Sequence, residues 1–207
     1  MKLSYAGAGV ALILAAALAA CGGKGQFTVQ GTVTGLNNSG LVLANNGSTV
    51  SVPTGATSFT FPQQIDYGTS YNITVQSQPA HMTCAIGGGS GSAGHTVSIQ
   101  AQVQCTQNSY ALGGQFTGLT AAADGTARTI TLLNGSTGGS LTISSATGTL
   151  GNGDFTFGTP VEDGLPYGVT VVQPAPANGL TCTIANGTGV MHEAPVSNLV
   201  LTCVPTT

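Results

Sequence analysis

The side chains best suited to chemistry are few, and their spacing is their first message. There are five cysteines, Cys21, Cys84, Cys105, Cys182 and Cys203, and the last four form two pairs with the same separation in each. Thiols of this kind can be acylated, oxidised to disulfides or used as metal ligands. Three histidines, His81, His95 and His192, and the six acids Asp66, Asp124, Asp154, Glu162, Asp163 and Glu193 complete the proton-transferring inventory. Glu162 and Asp163 are adjacent, so in a strand or turn their side chains diverge and cannot flank one substrate atom. They read as a solvated turn before Gly164-Leu165-Pro166. His95 follows Cys84, and His192 follows Cys182, at nearly the same distance, which sets each just before the last strand of its half. A metal site needs three or four converging ligands, and His192 with its neighbour Glu193 supplies two. Both histidines therefore read as exposed loop residues. Asn152-Gly153-Asp154 lacks the alternating acids of a calcium loop. Gly89-Ser90-Gly91-Ser92 is a low-complexity loop with no strand-to-helix elbow to expose a nucleophile. The expectation is no catalytic residue, no metal and no cofactor.

Charge is the compositional anomaly. Only 4% of the 207 residues are charged, three Lys and Arg against six Asp and Glu, where about 25% is usual. Lys2, Lys24 and Arg128 are the only fixed cations, too few to neutralise a nucleic-acid backbone, so no nucleic-acid partner is expected. Helix bundles draw on Ala, Glu, Lys, Leu and Arg, whereas this chain fills its polar positions with Ser, Thr, Asn, Gln and 32 Gly. An all-β, extracytoplasmic composition remains.

The segment from Met1 to Cys21 has an address of its own. One Lys precedes an apolar run from Tyr5 to Ala20, which is shorter than the roughly 20 residues a membrane-spanning helix needs. Leu18-Ala19-Ala20-Cys21 then gives Leu, two small residues and Cys. This resembles the lipobox of bacterial lipoprotein signal peptides. The resemblance implies cleavage before Cys21, a diacylglycerol on its thiol and acylation of the new amino group. Two or three acyl chains, at about 0.8 kcal/mol per buried methylene, make a stable membrane anchor. Gly22, where Asp would retain a Gram-negative lipoprotein at the inner membrane, implies the outer membrane in a Gram-negative cell, whereas a Gram-positive source would place the protein on its single membrane. A signal cut at an Ala-x-Ala site within Ala15 to Ala20, or an uncleaved helix, are the competing readings.

With Cys21 set aside, an even set of four cysteines is left, as suits an oxidising compartment. Their equal spacing also reveals a duplication. Phe27, Gly31, Gly35 and Leu36 are matched by Tyr110, Gly114, Gly118 and Leu119, and Phe59-Thr60-Phe61 by Phe155-Thr156-Phe157. Gly68 and Tyr71 are matched by Gly164 and Tyr167, and Thr74-Val75 with Pro79 by Thr170-Val171 with Pro174 and Pro176. Within each copy the apolar period is two, clearest where Val97, Ile99, Ala101, Val103 and Cys105 alternate with polar residues. Asn46-Gly47, Asp124-Gly125, Asn134-Gly135, Asn152-Gly153 and Asn186-Gly187 mark hairpin turns, where positive φ is expected. About seven short strands per copy with one apolar face close most economically as a two-sheet sandwich.

Gly31-Thr-Val, Ser58-Phe59-Thr60-Phe61 and Gly68-Thr-Ser-Tyr71-Asn-Ile-Thr-Val75 resemble the core strands of transthyretin-like, carboxypeptidase-regulatory-like sandwiches over about half of each copy. The expected architecture is two tandem immunoglobulin-like β-sandwich domains. Residues 1–20 would be the signal peptide, 21–26 a lipidated tether, 27–105 the first repeat, 106–109 a linker, 110–203 the second repeat and 204–207 a tail. Four cysteines allow three connectivities, and the duplication favours Cys84–Cys105 with Cys182–Cys203. The function expected is that of a non-catalytic, membrane-anchored envelope lipoprotein that serves as a structural or binding module for a protein or glycan ligand. A carbohydrate-binding or adhesive surface protein is the alternative, with an envelope-polymer hydrolase behind it.

Overall fold

Strands begin where the apolar alternation begins. The computed structural model describes residues 25–96, 98–136, 138–172 and 179–206. The expected signal peptide, Cys21, Val97, Pro174 and Pro176 lie outside the described residues. Everything regular within them is β-structure, arranged as two β-sandwiches in tandem.

The first copy contains β1 (Gln26–Phe27), β2 (Val29–Thr34), β3 (Val42–Asn45), β4 (Ser48–Ser51), β5 (Ser58–Thr60), β6 (Ile65–Asp66), β7 (Ser70–Ser77), β8 (Met82–Gly87), β9 (Ser90–Ser92) and β10 (Ile99–Gln107). The second contains β11 (Ser109–Tyr110), β12 (Leu112–Thr117), β13 (Thr129–Asn134), β14 (Ser140–Ser144), β15 (Gly153–Thr156), β16 (Val161–Glu162), β17 (Pro166–Val172), β18 (Leu180–Ala185), β19 (Thr188–Val190) and β20 (Val196–Pro205). In the first copy one sheet has the order β5-β2-β10-β8 and the other β4-β3-β7-β9, with β1-β6 as a two-stranded ribbon. The second copy repeats that order strand for strand, as β15-β12-β20-β18, β14-β13-β17-β19 and β11-β16. In each, the early and final strands of the first sheet run parallel, β2 with β10 and β12 with β20.

By packing, the described chain divides into two units. One holds the residues up to Gln78 together with Cys84–Gln104, and the other holds Pro79–Thr83 and the chain from Cys105 onward.

Among the described residues, ten strands per copy exceed the seven expected, because two-residue strands and glycine-rich edges carry no legible apolar period. The segment Gly89-Ser90-Gly91-Ser92 is a case in point. It reads as loop, yet Ser90–Ser92 forms β9 and pairs with β7, Gly91 opposite Tyr71. A Cβ on Gly91 would sit 2.7 Å from the Tyr71 hydroxyl oxygen, and one on Gly189 would sit 2.5 Å from that of Tyr167. Each tyrosine ring thus lies across a glycine on the edge strand, giving that strand the packing it lacks.

The matched phenylalanines and glycines also occupy matched places. Gly31 is opposite Phe59 and Gly114 is opposite Phe155. A Cβ on Gly31 would fall 2.2 Å from the Ala101 carbonyl oxygen, and one on Gly114 would fall 1.9 Å from that of Leu199. Only glycine lets these strands approach. Phe59, Phe61, Phe155 and Phe157 are buried, as are Ile99, Ala101, Val103 and Cys105 of β10. Two buried amides repeat as well. Asn45 accepts a hydrogen bond from the Asn72 amide and Asn134 from the Gly168 amide, both at 3.0 Å.

Turn chemistry is legible only in part. Asn46 and Gly47 both take positive φ, whereas Gly125 and Asn186 do so singly. At Asn134-Gly135 and Asn152-Gly153 neither residue does; positive φ falls instead on Gly138 and Gly139 near the first and on Leu150 and Gly151 near the second.

Candidate functional site

The disulfides come first, since cysteine chemistry is the strongest expectation. Cys182 of β18 and Cys203 of β20 are cross-strand partners joined by a disulfide, with Cα atoms 4.1 Å apart. Cys84 and Cys105 are bonded in the same way. The pairing is the one the duplication favours, and each bond staples a hairpin of the β5-β2-β10-β8 type of sheet. The lipidation expected at Cys21 lies outside the described residues.

A second constellation has no counterpart among the sequence expectations. His81, Asp163 and His192 converge within the second unit, and one ligand atom from each lies within 4.8 Å of the others. Asp163 directly follows β16, His192 comes just after β19, and His81 comes from the Pro79–Thr83 segment. That segment is held by the Asn108 amide, which donates to the His81 carbonyl oxygen at 3.0 Å, and by the Thr83 hydroxyl, which donates to Asn108 Oδ1 at 2.7 Å.

Asp163 is fixed from three sides. Its amide donates to the Asn108 carbonyl at 2.9 Å, its carbonyl accepts from Gln107 Nε2 at 2.9 Å, and its Oδ1 accepts from the Glu193 amide at 3.0 Å. Oδ2 lies 3.2 Å from His81 Nδ1. That is ion-pair distance, but the alignment is off the line a hydrogen bond requires, so neither atom has a hydrogen-bond partner among the described residues. The imidazole rings of His81 and His192 stand edge to face, 6.1 Å between centroids.

Backbone conformation aims these groups. His81 and Glu193 both adopt positive φ, 61° and 53°, a region that non-glycine residues visit seldom and Glu more rarely than His. The left-handed turn at Glu193 delivers its amide to Asp163. Gly164, at φ 85°, is needed for a different reason. A Cβ there would lie 3.1 Å from His81 Cδ2, so the imidazole rests on bare backbone.

The side chain of Asp163 is 1% exposed, while that of His81 is about one-third exposed and His192 is on the surface. Burial is the largest influence on Asp163 and favours the neutral acid. The Glu193 amide, the adjoining His81 and the charge of His192 oppose it, and together they hold the carboxyl below its ordinary value.

The structure differs from the sequence expectation at two places. Glu162-Asp163 is not a solvated pair, because the side chains diverge as expected and only Glu162 reaches solvent. His192 is exposed as expected but is not an isolated loop histidine. His95 is exposed and lies outside the constellation.

The first copy shows what the same place looks like without it. Backbone hydrogen bonds there are equivalent: Tyr67 donates to Gly25 as Asp163 does to Asn108, and Gly68 donates to Ala93 as Gly164 does to Met191. Asp163 therefore corresponds to Tyr67, and His192 to Gly94. The Tyr67 ring covers Gly94, whose Cβ would be 2.3 Å from it, and stands 6.4 Å from the Phe27 ring. Aligning the copies by strand register exposes this exchange of Tyr and Gly for Asp and His. Counting from the cysteines gives the same correspondence at this position, since Gly94 and His192 each stand 10 residues after Cys84 and Cys182, and His95 falls opposite Glu193.

No family model and no curated protein matches the chain. Among solved structures, the chain is similar to the Bacillus anthracis TIE protein at 13% identity, over 86% of this chain and 34% of that one, with a TM-score of 0.49. It thus spans about a third of that protein. It is also similar to the major pilin T3.2 of Streptococcus pyogenes at 12% identity (88% of this chain, 98% of that one, TM-score 0.32). A B repeat unit of the collagen-binding surface protein of Staphylococcus aureus matches at 13% identity (88% and 100%, TM-score 0.31).

Proposed function

We propose that this chain is a non-catalytic envelope lipoprotein, anchored through acylated Cys21, whose two sandwiches form a structural or binding module. The observation that carries the reading is the pair of equivalent disulfides, one per copy, in a chain with a lipobox and almost no charge. Such bonds persist in oxidising compartments. Loops of this length are worth about 3 kcal/mol apiece in the chain-entropy account. Stapled, charge-poor sandwiches suit a surface whose job is to persist and present. Expression in a Gram-negative host followed by mass spectrometry of the membrane fraction tests the anchor. An N-terminal peptide beginning at acylated Cys21, absent in Cys21→Ala, is expected. A peptide cut within Ala15 to Ala20 and carrying a free thiol at Cys21 would overturn the reading.

A glycan-binding role is favoured by one feature, Tyr67. The residue is 68% exposed and its ring is backed by Gly94 and Phe27, which makes it an aromatic platform of the kind sugars stack on. On a glycan array, any binding that belongs to this platform disappears in Tyr67→Ala; binding that survives the substitution would place the ligand elsewhere.

A further inference from the structure

We propose that His81, Asp163 and His192 form a binding site for a divalent first-row transition ion, zinc in particular. Two imidazoles and one carboxylate are a donor set suited to such ions and poorly suited to calcium or magnesium, which take six or more oxygens. The proposal is independent of the anchor at Cys21.

Four features carry it. The first is proximity: donors bound tetrahedrally at about 2.1 Å from zinc stand roughly 3.4 Å apart, and His81 Nδ1 and Asp163 Oδ2 already stand at 3.2 Å. The third donor is within 4.8 Å and belongs to His192, whose exposed side chain can rotate inward at little cost. The second is the state of Asp163. Its side chain is almost wholly buried, and while Oδ1 is held by the Glu193 amide, Oδ2 faces the two imidazoles without a hydrogen bond. A buried carboxylate oxygen left in that state is costly unless something cationic completes it. The third is orientation. The Glu193 amide fixes the carboxylate as an outer-shell partner does in metal sites, leaving one oxygen free to ligate. The fourth is the internal comparison: the same place in the first copy holds Tyr67 and Gly94, which offer no such donors.

Three protein ligands leave a coordination position on the solvent side, where a water would complete a tetrahedron. Bound there, the ion would fasten the Pro79–Thr83 segment to the turns after β16 and β19 within the second unit.

The competing explanation is a plain His81–Asp163 ion pair that binds no metal. To separate the two, the full-length chain is purified in detergent, stripped with a chelator and titrated with zinc by calorimetry. Cobalt absorption then reports the coordination geometry. One equivalent is expected, with tetrahedral cobalt bands. His81→Ala and His192→Ala should each weaken zinc by more than about 100-fold, the upper end of what losing an outer-shell partner costs. His95→Ala should change nothing. The partly exposed histidines are the variants of choice, because Asp163→Asn removes a buried group and can disturb folding. Circular dichroism and resistance of the disulfides to alkylation confirm that each variant is folded. Absence of stoichiometric binding, equal affinity in folded His81→Ala or His192→Ala, or an equal loss in His95→Ala would overturn the site.

Discussion

At the turn after β6 and the turn after β16, one backbone carries two chemistries. In the first copy a tyrosine lies over a glycine and presents a ring to solvent. In the second an aspartate is buried between two histidines. The hydrogen bonds around the two turns are equivalent, so the difference is not one of fold. It shows how a duplicated sandwich diverges: the β-ladder keeps its register, and the side chains at its ends are free to change because they make no ladder bonds.

The largest expected effects fall on what the copies share. Replacing Cys84 and Cys105 by Ser, or Cys182 and Cys203, should cost each copy about 3 kcal/mol, read by urea unfolding. Both bridges close loops of the same length, so the two losses should agree; a clear inequality would show that one copy leans on its disulfide more than the other. Gly31→Ala and Gly114→Ala come next. Each forces a Cβ into a carbonyl oxygen of the neighbouring strand, and overpacking of this kind costs roughly 1–3 kcal/mol. Gly114→Ala should be the worse, and an unchanged unfolding midpoint in either would contradict the close approach described.

Smaller effects belong to what the copies do not share. Because Asp163 is held below the ordinary carboxylate value of 3.8, its contribution is fully present above that pH and is lost as pH falls through the lower folded-state value. Asp163→Asn should therefore flatten the acid limb of the second unit's stability curve and leave the first unit's unchanged. A parallel change in both would mean that the carboxyl is not the source. Smaller still is the stability change in Gly164→Ala, where the positive φ and the nearby His81 ring are mildly incompatible with a methyl group. About 1 kcal/mol is expected, with weaker zinc binding as its more telling consequence.

These predictions also mark what the sequence could and could not disclose. Alternation along β10 and the Phe59 and Phe155 segments reported burial directly, because in a sandwich every second residue faces the core. Cysteine spacing disclosed the duplication and, through it, the disulfide pairing. Glycine-rich β9 stayed hidden because its partner's tyrosine ring, and not its own side chains, supplies the packing. The histidine and aspartate cluster stayed hidden for a deeper reason. Its members sit in three separate turns, far apart along the chain, and only strand register brings them together. Periodicity describes cores, and isolated polar residues at turns leave no period to read.

Two copies of one sandwich thus differ chemically at one end. The most direct test is a zinc titration of the oxidised, full-length chain followed by NMR of the three histidine rings. His81 and His192 should shift together and saturate at one equivalent, while His95, which lies outside the constellation, stays put. Equal shifts at His95, or no shift at His81 and His192, would contradict it.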